Sequence, residues 1–134
     1  MDEATLIAAA EAAVEELRGV FLAALTADLD RIDAAVAGAA DPAAREVRLD
    51  DLYTLCHDLK GQAGSFGFDL VTEIAGALCN HLRTARPASS RDVAVAAAYA
   101  RAVRRIAEDG LMGDGGAAGQ AVRAALSADL AAAA

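Results

Sequence analysis

From Leu6 to Val36, apolar side chains recur every three or four residues: Leu6, Ala10, Ala13, Val14, Leu17, Phe21, Leu25, Leu29, Ile32 and Val36. No other feature narrows the fold as much, because that period lays one continuous stripe along an α-helix. The spacing predicts a helix from about Glu3 to about Gly38 with this stripe turned to a core, and Gly19 leaves open a bend or a split. Composition points the same way. Alanine dominates a chain that is 56% hydrophobic and only 4% aromatic, and the β-branched and aromatic enrichment of strands is missing. The expectation is all-α.

Breaks divide the rest. "AGAADP" (Ala37 to Pro42) ends the first segment, and a second helix follows from about Leu49, or a turn earlier, to about Phe66. A third runs from about Asp69 to Arg86 and stops at "RPASS". Ser89 followed by Asp92 is a capping-box pattern that opens a fourth helix, about Ser90 to Asp109. "GLMGDGG" (Gly110 to Gly116) reads as a flexible break before an alanine-rich helix from about Ala117 to Leu130, with a fraying tail. No fixed-period repeat is present. Short links between helices of similar length imply antiparallel neighbours. The predicted architecture is an antiparallel up-and-down four-helix bundle with an additional C-terminal helix, one domain over 1–134 with its body at about 3–110.

The net charge of −8, without a basic run or an aromatic platform, argues against nucleic acid and anionic membranes as partners. Its plain reading is solubility. "MDEATLIAAAEAAVEELR" carries acids where a signal peptide carries bases, and no apolar run reaches the ~18 uncharged residues of a membrane span. Cys56 and Cys79 sit inside helical patterns, which suits a reducing compartment. A cytoplasmic location is expected. The opening Met and closing helix favour a complete small protein.

One stretch is odd for a helix. "HDLKGQAGSFG" (His57 to Gly67) holds three glycines, each costing roughly 1 kcal/mol against alanine in a helix interior. At 100° per residue, Leu52, Leu55, Cys56, Leu59, Ala63 and Phe66 form the core side, and His57 lies about 140° from its centre. Asp50, Tyr53, Lys60, Gly61 and Gly64 fall near the histidine. Gly61 and Gly64 therefore clear room around an outward-facing imidazole, and Lys60 at i+3 reaches whatever that imidazole carries. An ammonium there suits an anion, most obviously a phosphoryl group. His81 is the control: it falls on the stripe of Leu70, Ile74, Ala77 and Leu78, as a boundary histidine with one satisfied hydrogen bond would.

"H-D-L-K-G-Q-A-G-S-F-G" resembles the His-x-x-Lys-Gly-x-x-x-x-x-Gly signature of histidine phosphotransfer (HPt) domains, and the helical arrangement is similar over roughly the first 110 residues. The resemblance implies a four-helix bundle that relays a phosphoryl group between receiver-domain aspartates. His57 would be phosphorylated and Lys60 would stabilise the phosphoryl oxygens. Gly61 and Gly64 would give a partner access, and Gly67 would close the motif. It also implies partners, a response-regulator receiver domain carrying Mg²⁺ and a hybrid histidine kinase, for a protein that needs no cofactor of its own. The expectation is a phosphocarrier rather than an autonomous enzyme, and a monomer that exposes one histidine. The final helix departs from the minimal four-helix pattern.

Tyr53 and Phe68 are the aromatics nearest the histidine, either packing at the core's edge or forming an apolar rim for a docking receiver. Arg101, Arg104 and Arg105 read as a solvated face. A metal site or a Cys-His nucleophile pair at Cys56-His57 is disfavoured, since adjacent helical residues diverge by about 100°. Two further alternatives are a fragment of a chemotaxis-type kinase and a module that docks receivers without carrying phosphate.

Overall fold

The computed structural model describes residues 1–134 as five α-helices and no strands. These are α1 (Glu3–Gly38), α2 (Arg45–Ser65), α3 (Asp69–Thr84), α4 (Ser90–Asp109) and α5 (Gly116–Ala133). α1 packs on α2, α2 on α3, α3 on α4, and α4 back on α1, closing a ring of four. α5 lies along α4 and reaches α3 through an Arg123–Glu73 ion pair. α1 is one continuous helix, so Gly19 does not split it. The closing alanines stay helical to Ala133 instead of fraying.

The ends have local causes. Asp2 caps α1 by accepting from the Thr5 amide at 2.8 Å. Ser89 and Asp92 form the expected capping box on α4. Burial pushes the Asp92 carboxyl up, but hydrogen bonds from Ser89 and His81 outweigh this and hold it below the usual carboxylate range. His81 sits 2.9 Å from Asp92, half-buried between α3 and α4, as a boundary histidine should. Gly67, at φ +82°, turns the chain out of α2 in a conformation that costs other residues about 1–2 kcal/mol.

"GLMGDGG" is not the loose break its glycines suggest. The Gly113 amide donates to the Gly67 carbonyl at 2.8 Å, and the Leu70 amide donates to the Gly113 carbonyl at 3.1 Å. The loop is stitched to the α2–α3 turn, and this fixes where α5 begins. Val122 then buries against the bundle.

The core runs through the ring from Phe21, Leu25, Leu29 and Ile32 of α1 to Leu52 and Leu59 of α2, Ile74 and Leu78 of α3, and Val103 and Ile106 of α4. The stripe on α1 is only half used. Leu6, Ala10, Ala13, Val14 and Leu17 were expected to face a core, yet every residue from Met1 to Leu17 is exposed. The reason is length: at about 1.5 Å per residue α1 spans about 54 Å and the facing α2 about 32 Å. The bundle ends where Phe21 meets Phe66 and Phe68, at ring centroid distances of 4.8 and 5.3 Å. Beyond that point α1 has nothing to pack on.

The arginines of α4 also differ from expectation. Arg104 pairs with Asp30 and Asp33 of α1, and Arg101 with Asp129 of α5. They tie helices together and are not a plain solvated face.

Candidate functional site

α2 turns one side to the core through Leu52, Cys56, Leu59 and Ala63, all buried, and the opposite side to water. His57 lies on the water side with 59% of its side chain exposed. Its nearest acid, Asp58, is 3.8 Å away, too far for a hydrogen bond that would hold the ring. The Tyr53 ring lies one turn back, with centroids 6.0 Å apart and planes inclined at 29°. The imidazole is therefore braced on one flank and open on the other.

The open flank is glycine. A Cβ at Gly61 would meet nothing within 4 Å, so a partner's surface can come down beside His57. Gly64 is exposed too, but a Cβ there would lie 3.3 Å from the Thr72 hydroxyl, so this glycine also serves the close approach of α3. Gly67 takes no place on the histidine face; its positive φ makes the turn into α3.

Lys60 points toward α3. Its Cδ would lie 3.3 Å from a Cβ at Gly76, so the absent side chain of Gly76 leaves a bed for the lysine stem. The Thr72 hydroxyl donates to the Lys60 carbonyl at 3.2 Å and pins the same turn from the other helix. Arg83, further along α3, donates to the Tyr53 hydroxyl at 3.3 Å. The charges of Lys60 and Arg83 both bear on the Cys79 thiol, although burial is stronger and leaves its pKa raised. Two cations and one exposed imidazole thus share the α2–α3 surface.

Phe68 needs correcting. It was a candidate for the docking rim, but it is 1% exposed and packs on Phe21 beneath the α2–α3 turn, so it cannot touch a partner. Its position at the start of α3 turns it inward. Tyr53 remains half-exposed beside His57. Cys56 points into the core, where burial and then the neighbouring Cys79 push its thiol up to about 12. Cys56 and His57 diverge by about 100° around α2, one into the core and the other into solvent, and could neither hold one ion together nor act as a nucleophile pair.

Thr72, Gly76 and Arg83 are contributors that reasoning from the histidine's own helix missed. The signal was there. Thr72, Gly76, Cys79 and Arg83 are spaced four, three and four residues apart, which places them on one strip of α3 about 60° wide. Nothing on α2 alone says that this strip is the one facing Lys60.

Comparison with known proteins bears on this arrangement in one respect. A family model described as Hpt domain matches residues 16–132 of the chain. No curated protein and no solved structure matched. The matched span leaves out most of the uncovered half of α1.

Proposed function

The chain belongs to the Hpt domain family, whose members carry phosphoryl groups on histidine in phosphorelays, and from that premise we propose that His57 is the residue that carries the group here. The observation that supports the choice is exposure. Of the two histidines, His57 is open to solvent with a glycine clearing one side, whereas His81 is tied to Asp92.

In this reading a phosphorylated receiver domain lays its aspartyl phosphate against the α2–α3 surface. One ring nitrogen of His57 forms an N–P bond as the aspartyl O–P bond breaks, and the electron pair returns to the carboxylate. Transfer of this kind asks for positioning and charge neutralisation more than for covalent chemistry from the protein. Tyr53 braces the ring. Lys60, bedded on Gly76, supplies positive charge to the phosphoryl oxygens, and Arg83 is the second cation within reach of the same face. The receiver brings Mg²⁺ and the acid, and a hybrid histidine kinase is the source of phosphate upstream. The chain is then a carrier that relies on its partners for catalysis, in keeping with Hpt domains as phosphocarriers rather than catalysts.

The test mixes the protein with a phosphorylated receiver domain and Mg²⁺ and measures phosphate on the chain. Acid-labile, base-stable phosphate that disappears in His57→Gln and persists in His81→Gln is the expected result. Receiver binding without any label would replace the carrier reading with that of a docking module.

A further inference from the structure

The contacts between α2 and α3 follow one antiparallel register. Thr72 meets Gly64, Gly76 meets Lys60, Arg83 meets Tyr53 and, just past α3, Arg86 meets Asp50. From each pair to the next, α2 goes back four, seven and three residues while α3 advances by the same steps. Carried to His57, this register sets residues 79 and 80 of α3 opposite the imidazole. Cys79 is buried, whereas Asn80 is exposed.

Asn80 also stands on the same side of the seam as the histidine. It follows Gly76 by four residues, which puts it about 40° further round α3, away from the buried Cys79. His57 precedes Lys60 by three residues, about 60° round α2 from the lysine that leans on α3. Both side chains therefore flank the solvent-facing groove between the two helices. Side chains tilt toward the N-terminus of their own helix, so Asn80 leans back toward the Gly76–Lys60 pair and Lys60 leans toward His57. The charge of Lys60 bears on the Cys79 thiol, as an ammonium brought to that level would. Arg83 fixes which way the Asn80 carboxamide faces. Its Nη1 lies 3.5 Å from Asn80 Oδ1, and a guanidinium has only donors, so the oxygen must face it. The two N–H bonds of Asn80 then turn to the Lys60 side, where they have no acceptor in the chain.

We propose that Asn80 binds the phosphoryl group directly: its carboxamide, oriented by Arg83, donates from across the seam to an oxygen of the group on His57. This rests on the reading of His57 as the carrier and adds a contact to it. Charge on a phosphoryl group in transfer is spread over three oxygens, which face different directions and call for separate partners. Lys60 serves them from α2, the receiver's Mg²⁺ from the partner, and Asn80 from α3. A neutral donor orients an oxygen without adding charge that would hold the group back from its next acceptor. Arg83 contributes beyond its own charge, since its Nη2 holds the Tyr53 brace while its Nη1 holds the Asn80 donor.

The test uses the full chain in two arms. In the first, phosphoramidate loads His57 without a receiver, giving its phosphoryl group to the exposed imidazole nitrogen as ammonia leaves. Asn80 is the only asparagine, and Gln62 and Gln120 are the only glutamines, so proton–nitrogen NMR can follow each side-chain amide. Loading should move the Asn80 amide protons downfield and leave those of Gln120 in place, and His57→Gln should abolish the shift. In the second arm a phosphorylated receiver and Mg²⁺ are mixed with the chain and single-turnover transfer is measured. Asn80→Ala should slow the transfer step by roughly tenfold with the half-saturating receiver concentration unchanged. Asn80→Asp should be slower still, because it sets a carboxylate against the phosphoryl oxygens while keeping an acceptor for Arg83. Asn80 is exposed, so neither change removes a core group, and circular dichroism should show unchanged helix content. An unshifted Asn80 amide in the loaded chain overturns the proposal. So does Asn80→Asp transferring at the native rate, which is the outcome for a residue that only holds Arg83. A native chain that takes no phosphate from receivers refutes the carrier reading alone, and the amide shift in the chemically loaded chain still decides whether Asn80 binds the group.

Discussion

The two halves of α1 share one helix and one apolar stripe, yet they live in different surroundings. From Phe21 to Gly38 the stripe is the wall of a core, with Leu25, Leu29 and Ile32 at 2% exposure or less. From Glu3 to Val20 the same spacing faces water. Periodicity reports which side of a helix is apolar; what covers that side is settled by the length of the neighbours. α2 ends at Ser65, so Phe21 is the last α1 residue with a ring to stack on.

The strongest way to break this comparison is to cut the same side chain from each half. Leu29→Ala removes a buried group and should cost about 2–5 kcal/mol, because the surrounding side chains only partly close the cavity. Leu17→Ala removes an exposed one and should stay within about 0.5 kcal/mol. Urea unfolding monitored by circular dichroism measures both. Comparable losses in dilute protein would mean that the N-terminal half is packed within the chain.

The contrast also shows how far a sequence can be read here. The five helices are legible because each break carries its own chemistry: proline at Pro42, a capping box at Ser89, glycine in the left-handed region at Gly110. His57 is legible because its helix has a well-defined core side. What escaped is whatever depends on two helices at once. The bed that Gly76 makes for Lys60, the hydrogen bond from Thr72 and the reach of Arg83 to Tyr53 all need the rotation of α3 against α2. Phe68 was misplaced for the same reason: a residue just past a helix end follows the turn, and the Gly67 turn aims it inward. The unused half of α1 was hidden because nothing within its own residues marks where the bundle stops.

Arg104 sharpens the comparison from the charged side. On the covered half it bridges Asp30 and Asp33 from α4, whereas Arg18 on the uncovered half reaches only Glu15 in its own helix. Surface pairs are worth about 0–1 kcal/mol each, so Arg104→Ala should destabilise by about 1 kcal/mol, with lost packing of its stem included. Arg18→Ala should leave the unfolding midpoint unmoved, because the contact it loses is a helical i, i+3 pair worth a few tenths of a kcal/mol.

Gly19 marks the join of the two halves, and here the expected effect has the opposite sign. A Cβ at Gly19 meets nothing within 4 Å, and on the helical wheel the residue sits well away from the apolar stripe. Gly19→Ala should therefore stabilise the helix by about 0.5–1 kcal/mol, through lost freedom in the unfolded chain, without touching the apolar stripe. Gly67→Ala is the counterpart: its φ of +82° and a Met112 methyl 2.9 Å from the new Cβ should make it destabilising. If Gly19→Ala proved neutral, α1 would be frayed up to the join.

The smallest effect belongs to the far tip. The Asp2 carboxyl is held below its ordinary value of 3.8, first by its hydrogen bond to the Thr5 side chain and then by the Thr5 amide. A depressed folded value means that the cap's contribution is complete above the unfolded value and is lost as pH falls through the folded one. Because the carboxyl is fully exposed, the loss should show as a shift of the Thr5 amide resonance and fraying of the first turn, not as a change in the unfolding midpoint. Asp92, more enclosed and bonded to Ser89 and His81, should on the same acid titration loosen the start of α4 and the α3–α4 contact together. Acid should therefore separate a tip that frays alone from a cap whose loss is felt by the bundle. A single transition reported by both amides would show that the uncovered half of α1 is coupled to the core after all.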